Sequence, residues 1–311
     1  ERGELVAEVS GKYRYQSEGK FPTVGDWVAL SRHNQDRAII HALLPRQSAF
    51  ARKAAGKETQ EQVVATNIDT VFIVIGLDNN YNLRRIERYL TLAWESGAVP
   101  VLLLNKSDLC AELESRIAEV SALAIGTSVH AISAKDGQGL EALGVYLVQG
   151  KTAAFLGSSG VGKSSIINRL LGEDRLATNT VSDAESRGRH TTTHRELLLL
   201  PEGGIVIDTP GMRELQVWGD DQGLRQVFDD IEELAIGCRF RDCGHQSEPG
   251  CAVRVAIENG TLDTGRFQSY LKLKKELVYL AAKQAMKASA VEKLRWKQIS
   301  IYQKSVKNRR G

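Results

Sequence analysis

Several short stretches of this chain hold residue types that can bind a phosphorylated nucleotide. Gly157-Ser158-Ser159-Gly160-Val161-Gly162-Lys163-Ser164 spells G-x-x-x-x-G-K-S, with Ser165 next in line. It follows the apolar run Thr152–Leu156 and opens the helical stretch Lys163–Leu171, the context in which this spacing has a mechanism. The glycines let the backbone curl so that successive N–H groups face phosphate oxygens, and the helix N-terminus adds partial positive charge. Lys163 would reach the β- and γ-phosphates, and the Ser164 hydroxyl would ligate magnesium. A second stretch, Asn105-Lys106-Ser107-Asp108, closes another apolar run. The Asp108 carboxylate can accept from both N1–H and the exocyclic amine of guanine, whereas adenine would leave it unpaired. Alone, these four residues could be a strand-to-helix turn with Asp108 as a cap. Beside a phosphate loop they select guanine.

Three further stretches complete the set. Ser133-Ala134-Lys135 follows the next strand, where a small residue lets a backbone N–H approach the guanine O6. Asp208-Thr209-Pro210-Gly211 would hold magnesium, usually through water, and would sense the γ-phosphate with the Gly211 N–H. Between the phosphate loop and Asp208 lies the polar stretch Glu173–His190, ending in Arg189-His190-Thr191-Thr192-Thr193. A switch loop here should present a threonine to magnesium; Thr192 is the choice, with Thr191 and Thr193 as alternatives. Far downstream, Cys238, Cys243, His245 and Cys251 supply three thiolates and an imidazole within fourteen residues. Four protein ligands satisfy one tetrahedral zinc and leave no open position, so such a site is structural. Gly237, Gly244 and Gly250 adjoin the ligands, where tight turns would wrap the ion. Cys110 stands apart and reads as a small packed side chain.

The elements that must position these groups can be read from the apolar pattern. Strands are expected at Thr70–Ile75, Val99–Leu104, Val129–Ile132, Thr152–Leu156, Glu196–Leu200 and Gly204–Ile207. Helices fit at Leu83–Glu95, Ala111–Ala124, Leu140–Gln149, Lys163–Leu171 and near Gln222–Leu234. Buried strands alternating with helices make an α/β fold with a mainly parallel sheet. The connection Pro201–Gly204 is too short for a crossover, so the last two strands must form an antiparallel hairpin. Upstream, Leu5–Val9, Lys12–Tyr15, Gly25–Leu30 and Ala38–Leu44 read as the short strands of a small barrel. Arg52–Gln62 reads as a linker or mobile loop.

Composition bounds the partners. The 311 residues carry a net charge of +3, but residues 266–311 hold 13 Lys/Arg against Glu276 and Glu292. That segment is thus +11 and the first 265 residues are −8. A basic segment of this kind suits nucleic-acid phosphate, although a solvated lysine-rich helix has the same composition. Lys12, Tyr13, Arg14, Tyr15, Lys20, Phe21 and Trp27 set charge beside aromatics, as a base-stacking surface would, or as a barrel core would. No apolar run is long enough to span a bilayer, and Glu1–Ser10 lacks a signal-peptide pattern. A cytoplasmic protein, with nothing that demands more than a monomer, is the expectation.

The nucleotide motifs resemble those of translation-factor-like GTPases in a rearranged order: the guanine-reading stretches precede the phosphate loop and switches. Joining the usual ends and cutting after the second switch produces this order, and it ties Asp208–Gly211 by chain to the cysteine region. With Asn105–Asp108, Gly157–Ser165, Gly188–Thr193 and Asp208–Gly211 so permuted, then Cys238, Cys243, His245 and Cys251, the sequence is similar to the ribosome small-subunit-dependent GTPase A family along essentially its whole length. The resemblance implies an N-terminal OB-fold over 1–52, a permuted GTPase domain over 53–225, and a zinc-binding, basic helical domain over 226–311. It further implies GTP hydrolysis stimulated by the small ribosomal subunit, contact with its rRNA, and a role in late subunit maturation. Met212 stands where many GTPases carry a water-orienting Gln. Slow hydrolysis in isolation is therefore expected, with His190 as the candidate for positioning water or responding to rRNA. The rival readings are an RNA-binding scaffold with vestigial nucleotide binding, and a permuted GTPase serving another RNA or a membrane. The intact Lys163 and Asp208 argue against the scaffold.

Overall fold

The structure is a computed structural model, and it describes residues 3–17, 21–34, 36–53, 61–176, 196–208, 221–283 and 286. Its centre is a six-stranded sheet built from β6 (Thr70–Gly76), β7 (Val99–Asn105), β8 (Ser128–Ile132), β9 (Thr152–Leu156), β10 (Glu196–Leu199) and β11 (Ile205–Asp208). The spatial order is β10-β11-β9-β6-β7-β8. All neighbours run parallel except β10 and β11, the expected hairpin, whose register sets Glu196 opposite Asp208.

Burial on both faces explains why the central strands β6, β7 and β9 are continuous apolar runs rather than alternating ones. Every residue of β6 is buried, and successive side chains enter opposite layers. Val71, Ile73 and Ile75 join one core with Ile86, Leu90 and Ala93 of α2 (Leu83–Glu95). Phe72 and Val74 join another with Ile166 and Ile167 of α4 (Lys163–Leu171). Between them in sequence, α3 (Leu113–Leu123) adds Val120 to the α2 side. Asn82 caps α2 by accepting from the Arg85 N–H at 3.0 Å.

Four expectations need correction. Lys12–Tyr15 is not a strand but lies in a helix, α1 (Gly11–Gln16), because Ser10 caps it through the Tyr13 N–H at 3.1 Å. Tyr15 is 91% exposed, so the charge–aromatic alternation reflects no buried strand face. Leu140–Gln149 is a 3-10 segment over Leu140–Tyr146, entered through Gly139 at φ +73°, and not an α-helix. The single helix near Gln222–Leu234 is two, α5 (Gln222–Val227) and α6 (Asp229–Ile236), broken at the fully buried Phe228. Arg52–Gln62 is not wholly linker: its ends belong to β4 (Ala49–Lys53) and β5 (Glu61–Thr66), an antiparallel pair, while 54–60 lie outside the described residues.

Upstream, β1 (Val6–Val9), β2 (Val28–Arg32) and β3 (Arg37–Leu43) form a sheet of order β1-β3-β2, with β1 parallel to β3. Downstream, α7 (Ala252–Glu258) and α8 (residues 264–283) follow the cysteine region. Phe267, Tyr270, Leu273 and Leu277 of α8 share one core with α2 and α5. An ionic seam lines this junction. Glu87, fully buried on α2, accepts from Arg84 and from Arg266 of α8, which also reaches Asp230 of α6 at 2.7 Å. Arg88 forks onto Glu276 at 2.6 and 2.9 Å. Among the described residues, no helix is long and apolar enough to cross a membrane.

Asp26 fastens the N-terminal segment. It accepts from Arg46 through both oxygens at 2.8 Å, from the Thr66 hydroxyl at 2.9 Å and from the Thr23 N–H at 2.8 Å. Burial pushes its carboxyl up, but Arg46 and these donors outweigh that and hold it below the ordinary value. A depressed carboxylate contributes stability above its unfolded value, and that contribution is lost as pH falls through the folded one. Asp26→Ala should therefore cost about 3 kcal/mol near neutrality. The gap to wild type should begin to narrow below about pH 4 and keep shrinking as the folded carboxyl protonates, as urea unfolding across a pH series would show.

Candidate nucleotide site and metal centre

Parallel strands deliver their carboxyl ends to one edge of the sheet, where ligands of open α/β folds bind. Asn105 ends β7, Ser133 follows β8, Gly157 follows β9 and Asp208 ends β11. One side chain joins three of these stretches. Asn105, 2% exposed, donates through Nδ2 to the Val161 carbonyl at 2.7 Å and accepts through Oδ1 from the Ala134 N–H at 3.0 Å. The Ala134 N–H is thus turned toward Asn105. Next to it, the Ser133 hydroxyl donates to Asp108 Oδ1 at 2.8 Å, orienting the Asp108 carboxylate, and accepts from the Asp136 N–H at 3.2 Å. Ser107 and Asp108 lie in one 3-10 turn, preceded by Lys106 at φ +68°.

The loop from Gly157 to Gly162 needs glycine at two places for steric reasons. A Cβ on Gly157 would stand 2.4 Å from the Val74 carbonyl oxygen. One on Gly162, at φ +99°, would stand 2.2 Å from the Asn105 amide nitrogen. Ser158, Ser159, Gly160 and Val161 span the loop between them, and Ser164 and Ser165 lie in the first turn of α4. Lys163 Nζ donates to the carbonyls of Gly157 and Ser158 at 2.8 and 2.6 Å, so its ammonium is held over the loop. Asp208 senses that charge. Burial pushes its carboxyl up, Lys163 pulls it back down, and Glu196 across the hairpin pushes it up again. The assembly offers a loop of backbone N–H groups, a cation, a carboxylate and a hydroxyl to a phosphate chain, with a second carboxylate some way along the edge for a base.

Thr192, His190 and Gly211, with Thr191, Thr193 and Met212, lie outside the described residues. Other residues escaped sequence reasoning. Asp78, just past the end of β6, pairs with Lys106 Nζ at 2.6 Å. Burial acts to raise its carboxyl, and Lys106 with the Asn80 N–H brings it below the ordinary value. A charged residue following a buried parallel strand was the available signal. Tyr89 of α2 lies 3.3 Å from the Ser158 hydroxyl, and Asn168 of α4 bonds both the N–H and the carbonyl of Leu176 at 2.8 Å. Both read as ordinary helix residues in sequence.

Cys238, Cys243, His245 and Cys251 come together as expected. Their ligand atoms all lie within 4.8 Å of one another, close enough for one metal ion. Of the three neighbouring glycines, Gly250 takes positive φ, at +74°, whereas Gly237 is right-handed. His245 itself occupies the left-handed region at φ +58°. Glu248 accepts from its own N–H and from those of Gly244, Gln246 and Ser247, which fixes this loop and draws its carboxyl down to about 2. Burial, with Lys274 nearby, holds the His245 imidazole below its ordinary value, favouring the neutral ring that a metal requires. Cys110 packs against the main core, as its sequence context suggests.

Known proteins share this architecture. The family described as RsgA GTPase matches residues 43–218. Small ribosomal subunit biogenesis GTPase RsgA 2 of Lactiplantibacillus plantarum is 51% identical over 279 residues, covering 89% of this chain and 78% of that protein. The crystal structure of YjeQ from Thermotoga maritima superposes with a TM-score of 0.63 at 29% identity, over 88% of this chain and 90% of that one. The crystal structure of YloQ, described as a circularly permuted GTPase, has the same fold, with a TM-score of 0.60 at 24% identity over 92% and 89% of the two chains.

Asn105→Ala removes two buried hydrogen bonds and should cost about 2 kcal/mol in urea unfolding. Asn105→Asp should cost more, because a buried carboxylate would face the Val161 carbonyl. Equal losses would show that the amide's donor role is unimportant.

Proposed function

Because this chain belongs to the RsgA GTPase family, we propose that its permuted sheet holds one GTP at the edge formed by Asn105, Ser133, Gly157 and Asp208. The chain is a GTP hydrolase that serves biogenesis of the small ribosomal subunit. The observation that carries the site is Asn105, which binds the phosphate loop to the base-reading loop across the permutation.

In this reading Asn105, Lys106, Ser107 and Asp108, with Ser133, Ala134 and Lys135, form the guanine end. Asp108 accepts from N1–H and the amine, steadied by Ser133, and a backbone N–H of the Ser133–Lys135 loop faces O6. Gly157 to Ser165 cradle the phosphates, and Lys163 leaves the Gly157 and Ser158 carbonyls for the β- and γ-oxygens. Ser164 and Asp208, with Thr192, are hard oxygen ligands suited to magnesium, which when bound neutralises charge developing on the phosphates. The partly buried Asp208 gains from such a cation, because burial disfavours its charge when uncompensated. Gly211 senses the γ-phosphate. With Met212 in place of a water-orienting Gln, His190 orients the attacking water or answers to rRNA.

The metal of the cysteine cluster is zinc. Tetrahedral zinc with Zn–S near 2.3 Å and Zn–N near 2.05 Å sets S···S at about 3.8 Å and S···N at about 3.5 Å. Cys238 and Cys251 are 3.9 Å apart, and His245 Nδ1 lies 3.6 and 3.4 Å from them. Three thiolates and one imidazole favour zinc over harder ions, and the closed set makes its role structural. Residues 1–52 form an OB-fold that meets rRNA, 53–225 the GTPase and 226–311 the zinc-binding basic domain. The exposure of Tyr15 at 91%, Trp27 at 68% and Phe21 at 49% supports base stacking rather than a core role for these aromatics. The protein works as a cytoplasmic monomer.

Hydrolysis of GTP and ATP, alone and with isolated small or large subunits, tests the whole reading. Small subunits alone should accelerate GTP hydrolysis, by at least about tenfold, and Lys163→Ala should abolish it. No acceleration by small subunits would leave a GTPase with a different partner. A strong chelator should release one zinc per chain and lower the melting temperature by several degrees, as expected for loss of a structural ion.

A further inference from the structure

The loop that reads the base is clamped from two sides, and the second clamp is Arg169. Asn105 holds the loop from the strand side through the Ala134 N–H. From the opposite side, Arg169 on α4 donates through Nε to the Ala134 carbonyl at 3.1 Å and through Nη2 to the Lys135 carbonyl at 2.5 Å. A planar guanidinium fork suits two successive carbonyls, which a lysine ammonium cannot span in the same way. Arg169 lies six residues past Lys163 on the same helix, a rise of about 9 Å. One rigid element thus carries the phosphate-binding residues at its start and grips the base-reading loop two turns later. A cavity of about 570 Å³ opens beside this contact, lined by Ala134, Ser165, Asn168, Arg169 and Glu173. On the same helix, Asn168 bonds both the N–H and the carbonyl of Leu176.

From this arrangement we infer that Arg169 is a positioning residue for guanine recognition, holding the Ala134–Lys135 backbone where the Lys135 N–H can meet O6, the Ala134 N–H being taken by Asn105. The inference rests on the GTP reading of this edge. Arg169 touches neither base nor phosphate in this account; it acts by removing freedom from two peptide units. Its guanidinium keeps exposed surface, so water can replace part of what it provides, and the loss on truncation is moderate.

Release of a fluorescent GDP from the full-length protein, followed by displacement in stopped flow, tests this directly. Wild type, Arg169→Ala and Arg169→Lys are compared, together with competition by 6-thio-GDP, whose sulfur accepts poorly, and by IDP, which lacks the amine. Arg169→Ala should release GDP about tenfold faster, the scale of one or two hydrogen bonds to a charged group. Its preference for GDP over 6-thio-GDP should largely vanish, while its preference for GDP over IDP, read by Asp108, persists. Arg169→Lys should fall between the two. Unchanged release overturns the inference, as does faster release with the 6-thio preference intact, which would mark a general loosening of α4. Wild type that binds no GDP overturns the nucleotide reading and this inference with it.

Discussion

The buried amide of Asn105 is the interaction on which the site depends. Its two hydrogen bonds, to Val161 and Ala134, join three segments separated by as many as fifty-six positions in the chain. Strand carboxyl ends can bring such segments to one edge, but their loops would still be free to shift by an ångström or more. A primary amide is the one side chain that donates and accepts from adjacent atoms in a fixed plane. Sealed from water, the amide has no competing partners, and loss of either bond would leave a buried polar group unsatisfied. Gly162 is required for the same reason, since a side chain there would collide with the amide.

That joint also explains how permutation is tolerated. The strand order β10-β11-β9-β6-β7-β8 sets β9, which leads into Gly157, beside the Asp208 strand and one strand away from β7, which ends at Asn105, regardless of which is synthesised first. What permutation changes is the continuation of the chain. The strand ending at Asp208 now leads toward α5, α6 and the metal centre, and α8 returns to lie on α2. The ionic seam of Glu87, Arg266, Asp230, Arg88 and Glu276 fixes that junction. Glu87 is buried and the rest of the seam partly exposed; such charges are poor sources of net stability, but the buried Glu87 is costly to separate from its partners. Tyr89, on the same helix, lies 3.3 Å from the Ser158 hydroxyl of the Gly157–Gly162 loop.

Much of this was legible in the sequence, for physical reasons that also mark where legibility ends. Strands β6, β7 and β9 are apolar on both faces almost throughout, so their pattern admits one interpretation. The β10–β11 hairpin followed from a connection too short for any crossover. The cluster of Cys238, Cys243, His245 and Cys251 was readable because thiolates gather for few purposes other than binding a metal. Lys12–Tyr15 was misread because a single serine cap outweighs an alternating pattern that no buried face enforces. Leu140–Tyr146 has apolar spacing suited to either helix type, and the left-handed Gly139 that starts it carries no periodic signal. Arg169 and Asp78 could not be found by motif, since each is defined by the backbone or side chain it meets across the fold. Thr192, His190 and Gly211 remain readings of the sequence, because they fall outside the described residues.

The central claim is that a permuted chain assembles an intact guanine site around Asp108. Hydrolysis of GTP and XTP by the Asp108→Asn protein tests it most directly. Asparagine would still accept from N1–H but would donate where guanine also donates, and xanthine offers a carbonyl at that position. The preference should invert, with XTP hydrolysed and GTP nearly inert. An Asp108→Asn protein that keeps the wild-type preference for GTP over XTP would show that the base is read elsewhere, and would contradict the account.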